Sequence, residues 1–110
     1  MTSENRVVLH RKLATLYPAD EARAAAAKAL APVLIIGEGG RIALACVKLA
    51  GGDFARLEDC VRAALSDYRD VLAWAESPRQ MRLGPGAPPV DQAQARRADA
   101  EEYASWLQAP

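Results

Sequence analysis

The chain has 110 residues, a formal net charge of zero at pH 7 and a pI near 6.6. This length predicts one domain, residues 1–110, with a core large enough to fold without metal or disulfide staples. The balanced charge removes the general electrostatic argument for binding nucleic acid or an anionic membrane.

The composition favours helix. Alanine is abundant, whereas threonine, isoleucine and the aromatic residues are scarce. Alanine loses little entropy in a helix, and β-branched residues prefer strands. We therefore expect an all-α fold, a small orthogonal or antiparallel bundle of four to five helices. No segment approaches the run of about 18 apolar residues that spans a bilayer, and the first residues do not resemble a signal peptide, so we expect a cytoplasmic protein.

Two helices are predicted in the first third of the chain, over residues 3–17 and 19–31. The first has three leucines on one helical face: Leu9, Leu13 and Leu16. The second is almost entirely alanine and other strong helix formers. Prolines 18 and 32 are expected to end these helices because proline has no amide hydrogen to donate.

Residues 33–40, Val-Leu-Ile-Ile-Gly-Glu-Gly-Gly, are compatible with a short strand or a buried turn. We favour a turn, because a single strand without a partner leaves its backbone groups unsatisfied. Gly37 and Gly39 also match the first two glycines of a dinucleotide-binding turn. The third glycine position holds Ile42, where the helix of such a site must pack closely. We therefore expect no cofactor here.

The strongest pattern in the sequence predicts a helical hairpin. Residues 41–50 predict an apolar helix, and Gly51-Gly52-Asp53 supply a helix stop and a new N-cap. Over residues 53–77 the apolar residues recur three and four positions apart, which predicts one long amphipathic helix. At 1.5 Å per residue this helix is about 37 Å long, so we expect it to be the central element of the bundle.

The last third of the chain changes character twice. Residues 78–89 are rich in proline and glycine, which predicts a flexible or extended linker. A final helix is predicted over residues 91–108, polar in its first half and apolar near its end.

No catalytic or metal site is predicted. His10 is the only imidazole, and we expect it to be solvated on the first helix. Asp67 and Asp70 share a predicted helix face that could hold a cation, but neighbouring arginines favour a salt-bridged surface. Cys46 and Cys60 could approach each other across the hairpin. Tight packing is the more common use of such residues, and we expect both thiols to stay reduced.

Part of the sequence resembles a group of proteins. The segment 41–53, followed by Asp-Tyr-Arg-Asp-Val-Leu-Ala-Trp-Ala-Glu at 67–76, resembles short bacterial proteins of uncharacterised function. The ending Tyr-x-x-Trp-Leu at 103–107 is similar to theirs. The resemblance covers a third to a half of the chain and leaves out residues 2–40. It implies no activity, cofactor or catalytic residue.

The helix at 41–50 is too short to cover the apolar stripe of the predicted long helix. We therefore expect a protein–protein interaction module without catalytic activity, with a second copy of the chain as its first candidate partner. The expected interface residues are Tyr68, Val71, Leu72, Trp74, Tyr103, Trp106 and Leu107. No small-molecule substrate is evident.

The alternative is a nucleic-acid-associated regulator with a helix-turn-helix-like hairpin at residues 41–65. Glu58 and Asp59 argue against it, because they would repel phosphates from the second helix.

Overall fold

The computed structural model describes residues 2–110, which form six helices and no strand. The all-α class is therefore confirmed, with six helices where we expected four to five, because a helix also forms at the start of the predicted linker. The helices are α1 Ser3–Leu16, α2 Asp20–Leu34, α3 Gly39–Ala50, α4 Phe54–Glu76, α5 Pro78–Leu83 and α6 Pro89–Gln108. No helix within residues 2–110 is both long and apolar enough to cross a membrane.

Helix α3 lies at the centre of the core. Nine of its twelve residues are buried, because apolar side chains point in almost every direction around it. Helices α1, α2 and α4 all pack against it. Leucines from α1 and α2 and the buried stripe of α4 complete one continuous apolar cluster.

Helix α2 continues beyond Pro32, where we expected it to end. The proline lies in the last turn, so its missing amide removes only one hydrogen bond near the helix end. Val33, one residue later, is fully buried, and its packing favours continuation of the helix to Leu34. The turn predicted over residues 33–40 is therefore shorter, running from Ile35 to Glu38 between α2 and α3.

The predicted single helix over residues 53–77 is interrupted at Asp67. The backbone of Asp67 is extended, with φ −154° and ψ 99°, so α4 consists of two helical segments. The Asp67 carboxylate accepts a hydrogen bond from the amide of Arg69 at 3.1 Å, which is how an aspartate caps the start of a helix. The prediction of one uninterrupted rod is wrong at this residue, because Asp67 serves as an N-cap and not as an interior residue.

The predicted linker begins with a helix. Pro78 occupies the first helical position of α5, where its missing amide costs nothing. The cap comes from α6: the Asp99 carboxylate accepts from the amides of Arg79 and Gln80, and from both of their side chains, each at 3.1 Å. Only 1% of the Asp99 side chain is exposed. This distant carboxylate explains why a proline- and glycine-rich stretch contains a helix.

The C-terminal ends of α4 and α6 receive cations from other helices. Neither helix has a basic residue in its own last turn. Lys48 of α3 donates to the carbonyl of Ala75 at 2.5 Å, and buried Lys12 of α1 donates to that of Ala109 at 2.9 Å. These lysines satisfy carbonyls that have no partner within the helix and oppose the helix dipole.

Gly39 lies where the first turn of α3 comes close to the end of α2. A Cβ atom at this position would lie 2.4 Å from the carbonyl oxygen of Leu34 and 2.6 Å from that of Val33. Backbone atoms cannot yield to such contacts without moving the helices. We expect Gly39→Ala to lower the free energy of unfolding by about 1–3 kcal/mol, measured by urea denaturation.

Gly37→Ala is the matched control for Gly39→Ala. A Cβ at Gly37 has no atom within 4 Å, and the backbone there does not have positive φ. Equal stabilities for the two variants would show that close packing does not require glycine at Gly39.

The Asp99 cap predicts a pH dependence. Burial alone would raise the pKa of Asp99, but the hydrogen bonds from Gln80 and Arg79 outweigh it and hold the pKa below its ordinary value of 3.8. A lowered pKa in the folded state stabilises the fold above the ordinary value, and this contribution is lost as the pH falls through the folded pKa. We expect Asp99→Asn to cost about 2 kcal/mol at neutral pH.

Urea denaturation at several pH values checks this expectation. The difference between wild type and Asp99→Asn should shrink as the pH falls below 3.8. Glu101→Gln, an exposed change on the same helix, is the control and should behave as wild type. A constant difference at every pH would contradict the role of the Asp99 charge.

Candidate functional site

The surface of α4 carries an apolar groove of about 530 Å³, which we call the α4 groove. Both segments of α4 contribute to it, together with the end of α3. Its lining residues are Leu49, Arg56, Asp59, Cys60, Ala63, Asp70, Val71 and Trp74.

The α4 groove follows helical spacing. Arg56, Cys60 and Ala63 lie three or four positions apart on one face of the first segment. Asp70 and Trp74 continue the same face after the interruption. The groove is therefore a surface of α4 that its neighbours leave uncovered, beside the stripe of Leu57, Val61 and Ala64 that they bury.

Trp74 is the dominant side chain of the groove. It is 47% exposed, whereas tryptophan side chains are highly buried on average in folded proteins. It lines the groove together with buried Val71 and the apolar residues Leu49 and Ala63. Half-exposed tryptophans beside apolar pockets are typical anchors of protein–protein interfaces.

The rim of the α4 groove carries charge of both signs. Asp59 is paired with Arg62, three residues along the helix. Within residues 2–110, neither Arg56 nor Asp70 has a carboxylate or cationic partner within 4 Å. The groove therefore has an available positive charge at one end and an available negative charge at the other.

The structure divides the seven predicted interface residues into four groups. Val71 and Leu72 are buried in the core, and Trp74 lines the α4 groove. Tyr68 is exposed on α4 but does not line the groove. The remaining residues belong to α6 and are Tyr103, Trp106 and Leu107.

The aromatic residues of α6 are held against the body of the protein. Tyr103 and Trp106 stack with ring centroids 5.7 Å apart, and Trp106 and Leu107 pack on the core. Lys12 lies 4.4 Å from the centroid of the Trp106 ring, and Lys48 lies 5.3 Å from that of Tyr103. None of these residues lines the α4 groove, so the structure does not join them into one surface with Trp74.

Ion pairs fix the end of α4 beside this cluster. Arg41 donates to both carboxylate oxygens of Glu76, at 2.8 and 2.6 Å, and this bidentate pair joins α3 to α4. Hydrogen bonding to Glu76 raises the pKa of Arg41 further. Burial and the nearby Glu76 carboxylate raise the pKa of Tyr103. Arg41 is therefore engaged within the fold.

Sequence reasoning missed Leu49, Arg56, Cys60 and Ala63 as members of the site. The spacing of Arg56, Cys60 and Ala63 along the first segment of α4 was a readable signal, because residues three, four and seven apart share a helix face. Leu49 lies on α3 and is outside this pattern. The exposure of that face could not be predicted from the sequence, since it depends on where the other helices pack.

No group of three His, Cys, Asp or Glu side chains in residues 2–110 is arranged to hold a metal ion. His10 is exposed on α1, away from the α4 groove. The arrangement can bind an apolar surface.

No family model, curated protein or solved structure matches the chain. The resemblance to short bacterial proteins therefore stays a prediction.

The two cysteines are free thiols in different environments. Cys46 is fully buried, and burial followed by the nearby Cys60 raises its pKa to about 12. Burial and then Asp59 raise the pKa of Cys60, but this thiol lines the α4 groove. Because the thiolate is the reactive form, we expect a disulfide reagent at neutral pH to modify Cys60 slowly and Cys46 only after unfolding.

Mass spectrometry of the folded and the urea-unfolded protein checks this difference. The folded chain should carry one label and the unfolded chain two. Before labelling, the mass of the chain should show no loss of two hydrogens, which would indicate a disulfide. Cys60→Ser should abolish labelling of the folded protein. Labelling of Cys46 in that variant would contradict its burial.

Proposed function

We propose that this protein is a small helical protein–protein interaction module that self-associates through the α4 groove. The supporting observation is the half-exposed Trp74 beside an apolar groove of about 530 Å³. An isolated exposed apolar residue is common on protein surfaces, but a large aromatic next to a concave apolar surface is typical of an interface. The proposal includes no catalytic activity and a cytoplasmic location, where two free thiols are expected to stay reduced.

The proposal places the interface on α4, the long helix that we expected to be central to the bundle. Helices α2, α3, α5 and α6 all contact it. In its second segment, the buried side consists of Val71, Leu72 and Ala75. The adjacent side carries Trp74. A partner bound to that side would continue the same apolar cluster. The proposal therefore moves the self-association surface expected on α4 and α6 to α4 alone.

We keep nucleic-acid binding through residues 41–65 as the alternative function. Helix α3 is buried and α4 exposes Glu58 and Asp59 in its first turns, so the hairpin offers phosphates little positive surface. A binding constant for DNA that falls steeply with salt concentration would favour the alternative.

Trp74→Ala tests the proposed function. If the tryptophan anchors self-association, its removal should weaken the association constant about tenfold or more. Sedimentation velocity over a wide protein concentration range measures this change, and circular dichroism verifies that the variant is folded.

Leu65→Ala is the matched control for Trp74→Ala. Leu65 is 52% exposed on the same helix but does not line the α4 groove. It should associate as wild type does. A wild-type protein that stays monomeric up to high micromolar concentration would overturn the proposal.

A further inference from the structure

We infer that the α4 groove pairs two copies of the chain in an antiparallel, two-fold arrangement in which Arg56 of each copy meets Asp70 of the other. The inference rests on the proposed function and adds the geometry and the charge pairing of the complex. It begins from the two rim charges of the groove that have no ion-pair partner within residues 2–110.

The positions of these charges make the groove complementary to itself. Arg56 lies near the start of α4 and Asp70 near the start of its second segment, so the two charges stand on opposite sides of the interruption at Asp67. A two-fold axis perpendicular to α4 exchanges the two ends of the groove. Each positive end then faces a negative end, and both charges gain partners in the same contact.

The centre of the groove permits this approach. Ala63 lies midway between the two charges, and its small side chain lets two helices come close together. In the antiparallel arrangement Trp74 of each copy lies near the Arg56 end of the other groove. Stacking of a guanidinium on an indole would add to the contact.

The overall charge of the chain is compatible with a second copy as the occupant. The formal net charge is zero, so two copies do not repel each other at long range. An acidic partner would be attracted by Arg56 but repelled by Asp70, and a basic partner would be attracted by Asp70 but repelled by Arg56.

Charge reversal tests the pairing directly. Arg56→Glu places two acids opposite each other at both ends of the symmetric complex, and Asp70→Arg places two cations there. Each variant alone should weaken self-association by about tenfold or more. Glu58→Arg, an exposed change on α4 outside the groove, alters the net charge as Asp70→Arg does and should leave association unchanged.

An equimolar mixture of Arg56→Glu and Asp70→Arg is the decisive sample. In a heterodimer, Glu at position 56 meets Arg at position 70, and the wild-type Arg56 of one chain meets the wild-type Asp70 of the other. Sedimentation of the mixture should therefore recover association close to that of wild type. The double variant, which carries both changes in one chain, should recover it as well.

Arg56→Glu should not harm folding, because the position lies in the first turn of α4, where an acid is favourable.

The outcomes separate the inference from the proposed function. If wild type associates and Trp74→Ala weakens it, but the mixture shows no recovery, the antiparallel pairing is wrong and the proposed function stands. A wild type that remains monomeric overturns both.

Discussion

A helix that is apolar on almost every side constrains the whole molecule. Nine of the twelve residues of α3 are buried, so no arrangement that exposes one of its faces is favourable. Helices α1, α2 and α4 must therefore surround it, and Gly39 lets the end of α2 come within contact of its first turn. Once these three helices are committed to α3, one face of α4 has no neighbour in the chain. That uncovered face is the α4 groove.

The remaining helices are held by polar contacts at their ends more than by apolar area. Helix α6 buries few residues, yet its Asp99 caps α5 and its last carbonyls accept from Lys12 of α1. Lys48 does the same for the end of α4. Each of these groups satisfies a helix terminus that lacks a suitable residue of its own. This pattern leaves the aromatic residues of α6 attached to the core and away from Trp74.

The all-α class and most helices could be predicted from periodicity, because spacings of three and four residues survive in any packing arrangement. The hairpin at Gly51 to Asp53 is an example: both the left-handed glycine and the aspartate cap are local features. Two errors came from residues with more than one local role. Asp67 fits a helical face but caps a new segment, and Pro32 fits a helix stop but lies within α2. Helix α5 could not be predicted locally, since its cap lies about twenty residues away in Asp99. The part of the groove on the first segment of α4 could be predicted from spacing, but its exposure and the contributions of α3 and of the segment after Asp67 depended on tertiary packing.

We propose that the protein self-associates through the one face of α4 that α3 and its neighbours do not use. Amide spectra of the isotopically labelled protein, recorded from dilute to concentrated solution, test this claim residue by residue. The account predicts concentration-dependent shifts confined to residues 56–74 and the adjoining end of α3, with α1 and α6 unchanged. Shifts centred on Tyr103 and Trp106, or none at any concentration, would contradict it.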